Sequence, residues 1–387
     1  MTSTSSGRCA GDFSRFDCLA REGESLKVVF LGGSLTWGAR ATDPQVTSYR
    51  ALIGQRLREF YPKAHFTFWD AAVGGTGSQL AVFRLQRDVL RRQPDLVFID
   101  FAVNDHPFTV DPERLAAYES LVRRVILEAG APVVQMILGL KQDLAATPPQ
   151  SRPLDEKHKE VSRFYGTGLG DSVTLMRERF LAGKIDPDQA WPYYPDVTHP
   201  GDKGYALYAE AGWNAFLEAV GERRICHVPD KMLHPSTYMN WVRRQLFGLG
   251  PLPKGWKTGL PHAMGLAYDF YMSRWLDDIA IAACGAEPIQ LEFQGSMALL
   301  FGEATLISGK LLVKIDGQPA CEQNSEGLYN AHCAGGNMHW VPLLAHNLDP
   351  AKKHLLELIP QLTEGQELRI ESVCVAGAQG ASVSPVS

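Results

Sequence analysis

The sequence predicts an α/β domain built on a mostly parallel sheet, followed by a smaller antiparallel β-sandwich. Three observations lead there. Between residues 27 and 222, short apolar runs alternate with segments of helical period, and parallel strands need crossovers of this kind. From residue 290 onward the helical period vanishes, and short strand-like runs separated by Gly, Asn and Pro replace it. A chain of 387 residues is also long enough for two cores.

The elements follow in order. KVVFL (27–31) is a short apolar strand that ends in Gly32-Gly33. Tyr49, Leu52, Ile53, Arg56, Leu57 and Phe60 share one helical face, and Pro62 closes that helix. FTFWD (66–70) reads as the second strand and stops before Gly74-Gly75. Residues 78–92 form a helix with Val82, Leu85 and Val89 on one side. LVFIDF (96–101) is apolar enough for a strand covered on both faces. A helix over 112–129 leads through Pro132 to VVQMIL (133–138). The polar stretch 141–165, with its Pro-Pro step, reads as a long loop or lid. IQLEF, ALLF, KLLVKIDG, HLLELI and ELRIESVCV supply the strands of the sandwich, for which a jelly roll is expected. The expected boundaries are a lead segment 1–25, the α/β domain 26–222, an irregular connection 223–288, the β-sandwich 289–377 and a disordered tail 378–387.

Composition narrows the function. Lys plus Arg number 38 and Asp plus Glu 43, a net charge of −5. Such a chain has no bulk attraction for nucleic acid or anionic membrane, so neither partner is expected. Hydrophobic residues at 45% and charged residues at 21% exclude a disordered, collagenous or coiled-coil chain. No run of 18 apolar residues occurs, and MTSTSSGRCAGDFSRF lacks the apolar core of a signal peptide, so a cytoplasmic location is expected. Seven scattered cysteines without a CxxC suit free thiols rather than disulfides or zinc. His332, Cys333 and His339 lack further ligand spacing, so no metal is expected.

Four separated segments carry chemistry when read together. In FLGGSLTWG, Ser34 stands between a strand and a helix, after two glycines. AAVGGTGS is a Gly-rich loop after the second strand. It lacks both the Gly-Lys-Ser/Thr ending of a P-loop and the G-x-G-x-x-G pattern, so it is not read as a phosphate cradle. FAVND places Asn104 just past the third strand, and PDVTHPGDKGY places Asp196 three residues before His199. A serine hydroxyl becomes a useful nucleophile when a histidine takes its proton, and the histidine needs a carboxylate to fix its tautomer. Ser34, His199 and Asp196 meet that need. The backbone N–H groups of Ser34 and Gly75 and the amide of Asn104 are the candidate oxyanion donors.

These four segments resemble the blocks of the SGNH (GDSL-type) esterase superfamily, over roughly residues 26–222. Gly32-Gly33-Ser34-Leu35 stands where the family has Gly-Asp-Ser followed by a hydrophobic residue. The family glycine matches Gly75, with Gly74 second, the Asn-Asp block matches Asn104-Asp105, and Asp-x-x-His matches Asp196 to His199. The resemblance implies a three-layer α/β/α sandwich of flavodoxin type, with a mostly parallel five-stranded sheet. It also implies two-step acyl transfer without a cofactor. AAVGGTGSQLAVFRLQRDVL and PDLVFIDFAVND are most similar to a bacterial branch with an accessory β-domain that acts on acyl groups of carbohydrates. That branch implies a small-molecule or oligosaccharide acyl ester, chiefly O-acetyl, as substrate. Trp37, Arg40, Gly74, His106, Trp191 and Tyr194 are the candidates to face it. Arg40 could meet an acidic sugar, while packing beneath the catalytic loop is the favoured reading of the aromatic residues. Two other readings stay open: a lipase, lysophospholipase or thioesterase with the same triad, and a non-catalytic carbohydrate-binding or scaffold protein.

Overall fold

The computed structural model describes residues 11–148, 150–262, 276–320, 322 and 326–386. The chain divides into two compact units, Met1–His234 and Pro235–Ser387.

The first unit is built on β1 (Ser25–Gly32), β2 (His65–Ala72), β3 (Leu96–Ile99), β4 (Val133–Ile137) and β5 (Gly168–Asp171). Their order is β2-β1-β3-β4-β5, and every neighbouring pair is parallel. β3 and β4 are buried along their whole length, as strands covered by helices on both faces must be. Each fully buried Val, Leu, Ile or Phe contributes about 1.5–3 kcal/mol. The helices are α1 (Phe13–Glu22), α2 (Ser34–Trp37), α3 (Tyr49–Phe60), α4 (Ser78–Asp88), α5 (Pro112–Arg124), α6 (Pro153–Tyr165), α7 (Ser172–Leu181), α8 (Pro187–Ala190) and α9 (Asp202–Gly221). α5 shows how sharply the sequence marks a start: the Asp111 carboxylate accepts from Glu113 N–H at 2.9 Å, and Pro112 follows it at the first helical position. The chain leaves β1 in both directions along the sheet, so a switch point lies between β1 and β3. Ligand sites in such sheets form there, beyond the carboxyl ends of the strands.

Several expectations are corrected. The lead segment is part of the first unit from residue 11 on; residues 1–10 lie outside the described residues. Asp12 caps α1, accepting from Ser14 N–H at 2.7 Å, and Phe16 packs edge-on to Phe216 with ring centroids 5.6 Å apart. The stretch 141–165 is not a long loop. It holds a 3-10 turn, Lys141–Leu144, and then α6, whose Leu154, His158, Val161 and Tyr165 form one buried face. The predicted helix 78–92 stops at Asp88, with a separate 3-10 turn at Leu90–Arg92.

The second unit contains β6 (Trp241–Gln245), β7 (Trp256–Gly259), β8 (Ile279–Ala283), β9 (Ile289–Gln294), β10 (Met297–Ala304), β11 (Lys310–Ile315), β12 (Gln318–Pro319), β13 (Leu328–Asn330), β14 (Met338–Trp340), β15 (Leu343–Ala345), β16 (Lys353–Gln361), β17 (Glu367–Ala376) and β18 (Ser382–Pro385). One sheet runs β14-β10-β17-β8-β7, with β15 on β10 and β6 on β17; the other runs β12-β11-β16-β9-β18, with β13 on β11. Among the described residues these strands pair with one another antiparallel. Leu291, Phe293, Leu311, Val313, Leu356 and Leu358 of one sheet share a core with Leu300, Leu368, Ile370, Val373 and Val375 of the other. Ile370 and Val373 both reach it although three residues apart, because the β10–β17 register shifts between Phe301 and Gly302. A bulge of that kind changes which residues face the core.

The connection expected at 223–288 therefore carries β6, β7 and β8, with residues 263–275 outside the described residues. The tail expected to be disordered carries β18, which pairs with β9; Ser387 lies outside the described residues. Such strands are too short to announce themselves locally and are held by distant partners. Cys18, Cys226, Cys284, Cys333 and Cys374 are free thiols, and Cys9 and Cys321 lie outside the described residues.

Candidate active site

β1 ends at Gly32, and Ser34 opens α2 directly beyond it. Gly33 between them sits against Asn104: a Cβ at position 33 would collide with the Asn104 side-chain oxygen. The far end of α2 is held by Arg50, whose Nε and Nη2 donate to the Trp37 carbonyl at 3.3 and 3.2 Å.

Ser34 Oγ lies 2.8 Å from His199 Nε2. His199 Nδ1 lies 2.9 Å from Asp196 Oδ2. The other Asp196 oxygen, Oδ1, accepts the backbone N–H groups of Thr198 and His199 at 3.1 and 3.0 Å. These bonds bend Asp196-Val197-Thr198-His199 into a tight turn, which is why one short segment can supply both acid and base. Partial burial pushes the Asp196 carboxyl up, but the backbone and ring hydrogen bonds from His199, with that of Thr198, outweigh it and leave it below the usual carboxylate value. Asp196 therefore stays ionised at neutral pH, which fixes Nδ1 as the protonated ring nitrogen and leaves Nε2 as the acceptor facing Ser34.

Beside the serine, Gly32 pairs in register with Ala72, so the loop after β2 starts next to the nucleophile turn. Within that loop Gly75 takes a left-handed φ of 71°, which glycine adopts without steric cost. Asp105 secures the loop's far side: its Oδ1 accepts Ser78 N–H at 2.9 Å, at the start of α4. Burial raises the Asp105 carboxyl to about 6 despite that bond. Below α2, burial raises Asp100 to about 7 against a hydrogen bond donated by Thr36 Oγ1 at 3.2 Å.

Ser34, His199 and Asp196 are thus brought together, with Gly33 tying Asn104 to the same turn and the register of β1 and β2 bringing the Gly74-Gly75 loop alongside. The six substrate-facing candidates divide. Tyr194 is 87% exposed on the loop before Asp196, and His106 is an exposed loop residue with φ 65°. Burial and the Arg114 charge lower the His106 pKa below its ordinary value. Trp191 is corrected: it is buried, and its indole N–H donates to Thr198 O at 3.3 Å, so it supports the Asp-His turn from beneath. Trp37 and Gly74 are buried as well. Arg40 has a side chain 41% exposed, and its Nε lies 3.3 Å from Asp196 Oδ2. The role of Asp105 was also missed; its only sequence signal was its place next to Asn104. Among the described residues, no group of three or more His, Cys, Asp or Glu could hold a metal ion, and no helix is long and apolar enough to cross a membrane.

Residues 30–207 match the model of the GDSL-like lipase/acylhydrolase family. Over that stretch the chain is similar to carboxylic ester hydrolases of the GDSL type, and a second unit rich in β-strands follows it. A comparison with curated proteins finds no match. Among solved structures, the chain is similar to a two-domain esterase active on acetylated mannans, co-crystallised with mannopentaose. That match has 22% identity and a TM-score of 0.75, covering 96% of each chain. A second structure of such an esterase matches at 21% identity and a TM-score of 0.73, over 96% of this chain and 97% of that one. An acetylxylan esterase from Geobacillus stearothermophilus matches at 21% identity and a TM-score of 0.40, over 49% of this chain and 94% of its own. The two-domain matches show that the folds of both units, each taken by itself, are shared.

Proposed function

We propose that this GDSL-type hydrolase removes small acyl groups, chiefly O-acetyl, from saccharides by a two-step serine mechanism. The observation that carries the reading is the unbroken line Ser34 Oγ–His199 Nε2, His199 Nδ1–Asp196 Oδ2 at 2.8 and 2.9 Å. His199 takes the Ser34 proton as Oγ attacks the ester carbonyl. The C–O π electrons move onto the carbonyl oxygen, which rests on the Ser34 and Gly75 N–H groups and the Asn104 amide. The tetrahedral adduct collapses, His199 gives its proton to the leaving sugar alcohol, and an acyl-serine remains. Water attacks that ester with His199 again as base, and release of the acid restores Ser34. Asp196, ionised throughout, stabilises the imidazolium that forms twice per turnover.

Two observations support a saccharide over a lipid. Tyr194 presents an exposed ring beside the Asp-His turn, a surface suited to stacking on a sugar face. The similar two-domain esterase acts on acetylated mannans, which makes acetylated oligosaccharides the first class to test. The experiment is acetate release over a panel of acetylated saccharides, with Ser34→Ala as the blank. The reading predicts release that the blank lacks. A marked preference for p-nitrophenyl esters of eight or more carbons over the acetate would replace it with the lipase or thioesterase reading.

A further inference from the structure

The oxygen of Asp196 that meets His199 has a second partner. Oδ2 lies 2.9 Å from His199 Nδ1 and 3.3 Å from Arg40 Nε. Arg40 lies on the segment that leaves α2, six residues past the nucleophile. It holds a left-handed φ of 71°, a conformation that a non-glycine residue rarely adopts without a compensating interaction. Its guanidinium also sits over the Tyr193 ring, 5.5 Å from the centroid, on the loop that leads into Asp196.

The same segment is tied down at three more points. Ala39 O accepts from Tyr205 OH at 2.6 Å. Asp202 Oδ1, in the first turn of α9, accepts from Thr42 N–H and Thr47 Oγ1, both at 2.8 Å. Residues 39–47 therefore form a strap from the nucleophile turn across the Asp-His turn to the start of α9. Arg40 is the point where the strap touches the triad itself.

We infer that Arg40 is a positioning residue of the triad: it fixes the Asp196 carboxylate for His199 and offsets part of the negative charge that His199 feels. This rests on the triad reading above and assigns Arg40 a role other than substrate contact. The cation and the imidazole share one oxygen, so any charge that Arg40 draws toward itself is charge that Asp196 does not lend to the imidazolium. Other groups face the pair as well. Ser34 approaches from α2, Tyr193 from the same loop and Tyr205 from α9. Behind Val197 stands Lys141, whose N–H donates to Val197 O and whose ammonium pairs with Asp188 at 2.7 Å. Asp202 is engaged by the two threonines. Among these, Arg40 is the cation in contact with the Asp196 carboxylate. Its side chain is 41% exposed, so water and salt screen the effect to a modest size.

The test is the pH profile of kcat/KM on p-nitrophenyl acetate for wild type, Arg40→Gln, Arg40→Met and Arg40→Lys. Without the cation, Asp196 stabilises the imidazolium more strongly, so His199 keeps its proton to higher pH. The acid limb of both neutral variants should move up, and the plateau should fall about tenfold. Arg40→Lys should return the limb to its wild-type position while recovering part of the plateau. A purely structural role would lower the plateau without moving the limb, and a substrate-binding role would raise KM without moving it. Either result, or a limb within about 0.1 unit of wild type in both neutral variants, overturns the proposal. Failure of the underlying triad reading would look different: Ser34→Ala or His199→Ala would keep the wild-type rate.

Discussion

Both units bury charged pairs, Arg152 with Asp143 and Asp155 in the first among them, but the first also leaves a polar group half-open. In the first, chemistry-bearing residues stand beyond the carboxyl ends of parallel strands, half-open to solvent: Ser34 past β1, Asn104 past β3 and the Asp196–His199 turn alongside. In the second, charged residues lie along the sheet and are buried in pairs. Arg369 Nε meets Glu303 Oε2 at 2.6 Å, and Arg243 Nη2 meets Glu371 Oε2 at 2.8 Å. Glu371 also accepts from Gln245 Nε2 at 3.1 Å. Ion pairs of that kind satisfy one another and have nothing to offer a substrate, whereas Ser34 and His199 of the first unit meet at a partly exposed position. A cluster of charge is therefore no sign of a site until its partners are counted.

Substitutions can break or sharpen that contrast. The largest effect belongs to Ser34→Ala, which should lower kcat/KM by about 10⁴-fold or more with an unchanged melting temperature. A comparable loss of stability would mean that Ser34 is a structural cap. In the second unit, Glu371→Ala should do the reverse. It strands Arg243 at a buried position and should cost about 3–5 kcal/mol in denaturant unfolding, with kcat unchanged in the folded fraction. A smaller effect is expected from Asn104→Ala, about 10²-fold in kcat with little change in KM, as befits a donor used mainly in the transition state.

How far these groups could be read from the sequence follows from what holds each one. β1 to β4 and the four candidate blocks were legible because their signals are local: an apolar run, a glycine turn, an Asp three residues before a His; β5, Gly168–Asp171, has no apolar run and was not. α6 was hidden by its Pro-Pro approach and charged exterior, although Leu154, His158, Val161 and Tyr165 already carried helical spacing. β6, β7, β8 and β18 are four or five residues each and owe their shape to partners far along the chain. The contact between Arg40 and Asp196 spans 156 residues, so no window of sequence could have shown it. For Trp191, an aromatic residue next to a catalytic loop reads alike whether it faces substrate or supports the turn from within; its burial decided the matter.

The smallest effect concerns pH. Asp100 and Asp105 are carboxyls raised by burial from 3.8 to about 7 and about 6. A carboxyl whose folded pKa is raised binds more protons folded than unfolded between those values. Its contribution therefore makes stability fall as pH rises from about 4 to 7. Asp100→Asn removes the larger part of that slope and should gain stability relative to wild type as pH rises through this window, measured by melting temperature. An advantage that grows as pH falls would mean that Asp100 is ionised and paired in the folded state.

Everything rests on Ser34 being the activated nucleophile at the head of the β1 turn. A fluorophosphonate probe tests this directly, because it bonds to a serine whose proton is being taken. Wild type should gain one adduct at Ser34 by peptide mass, and His199→Ala should react far more slowly. Labelling of another residue, or equal labelling of Ser34→Ala, would contradict the account.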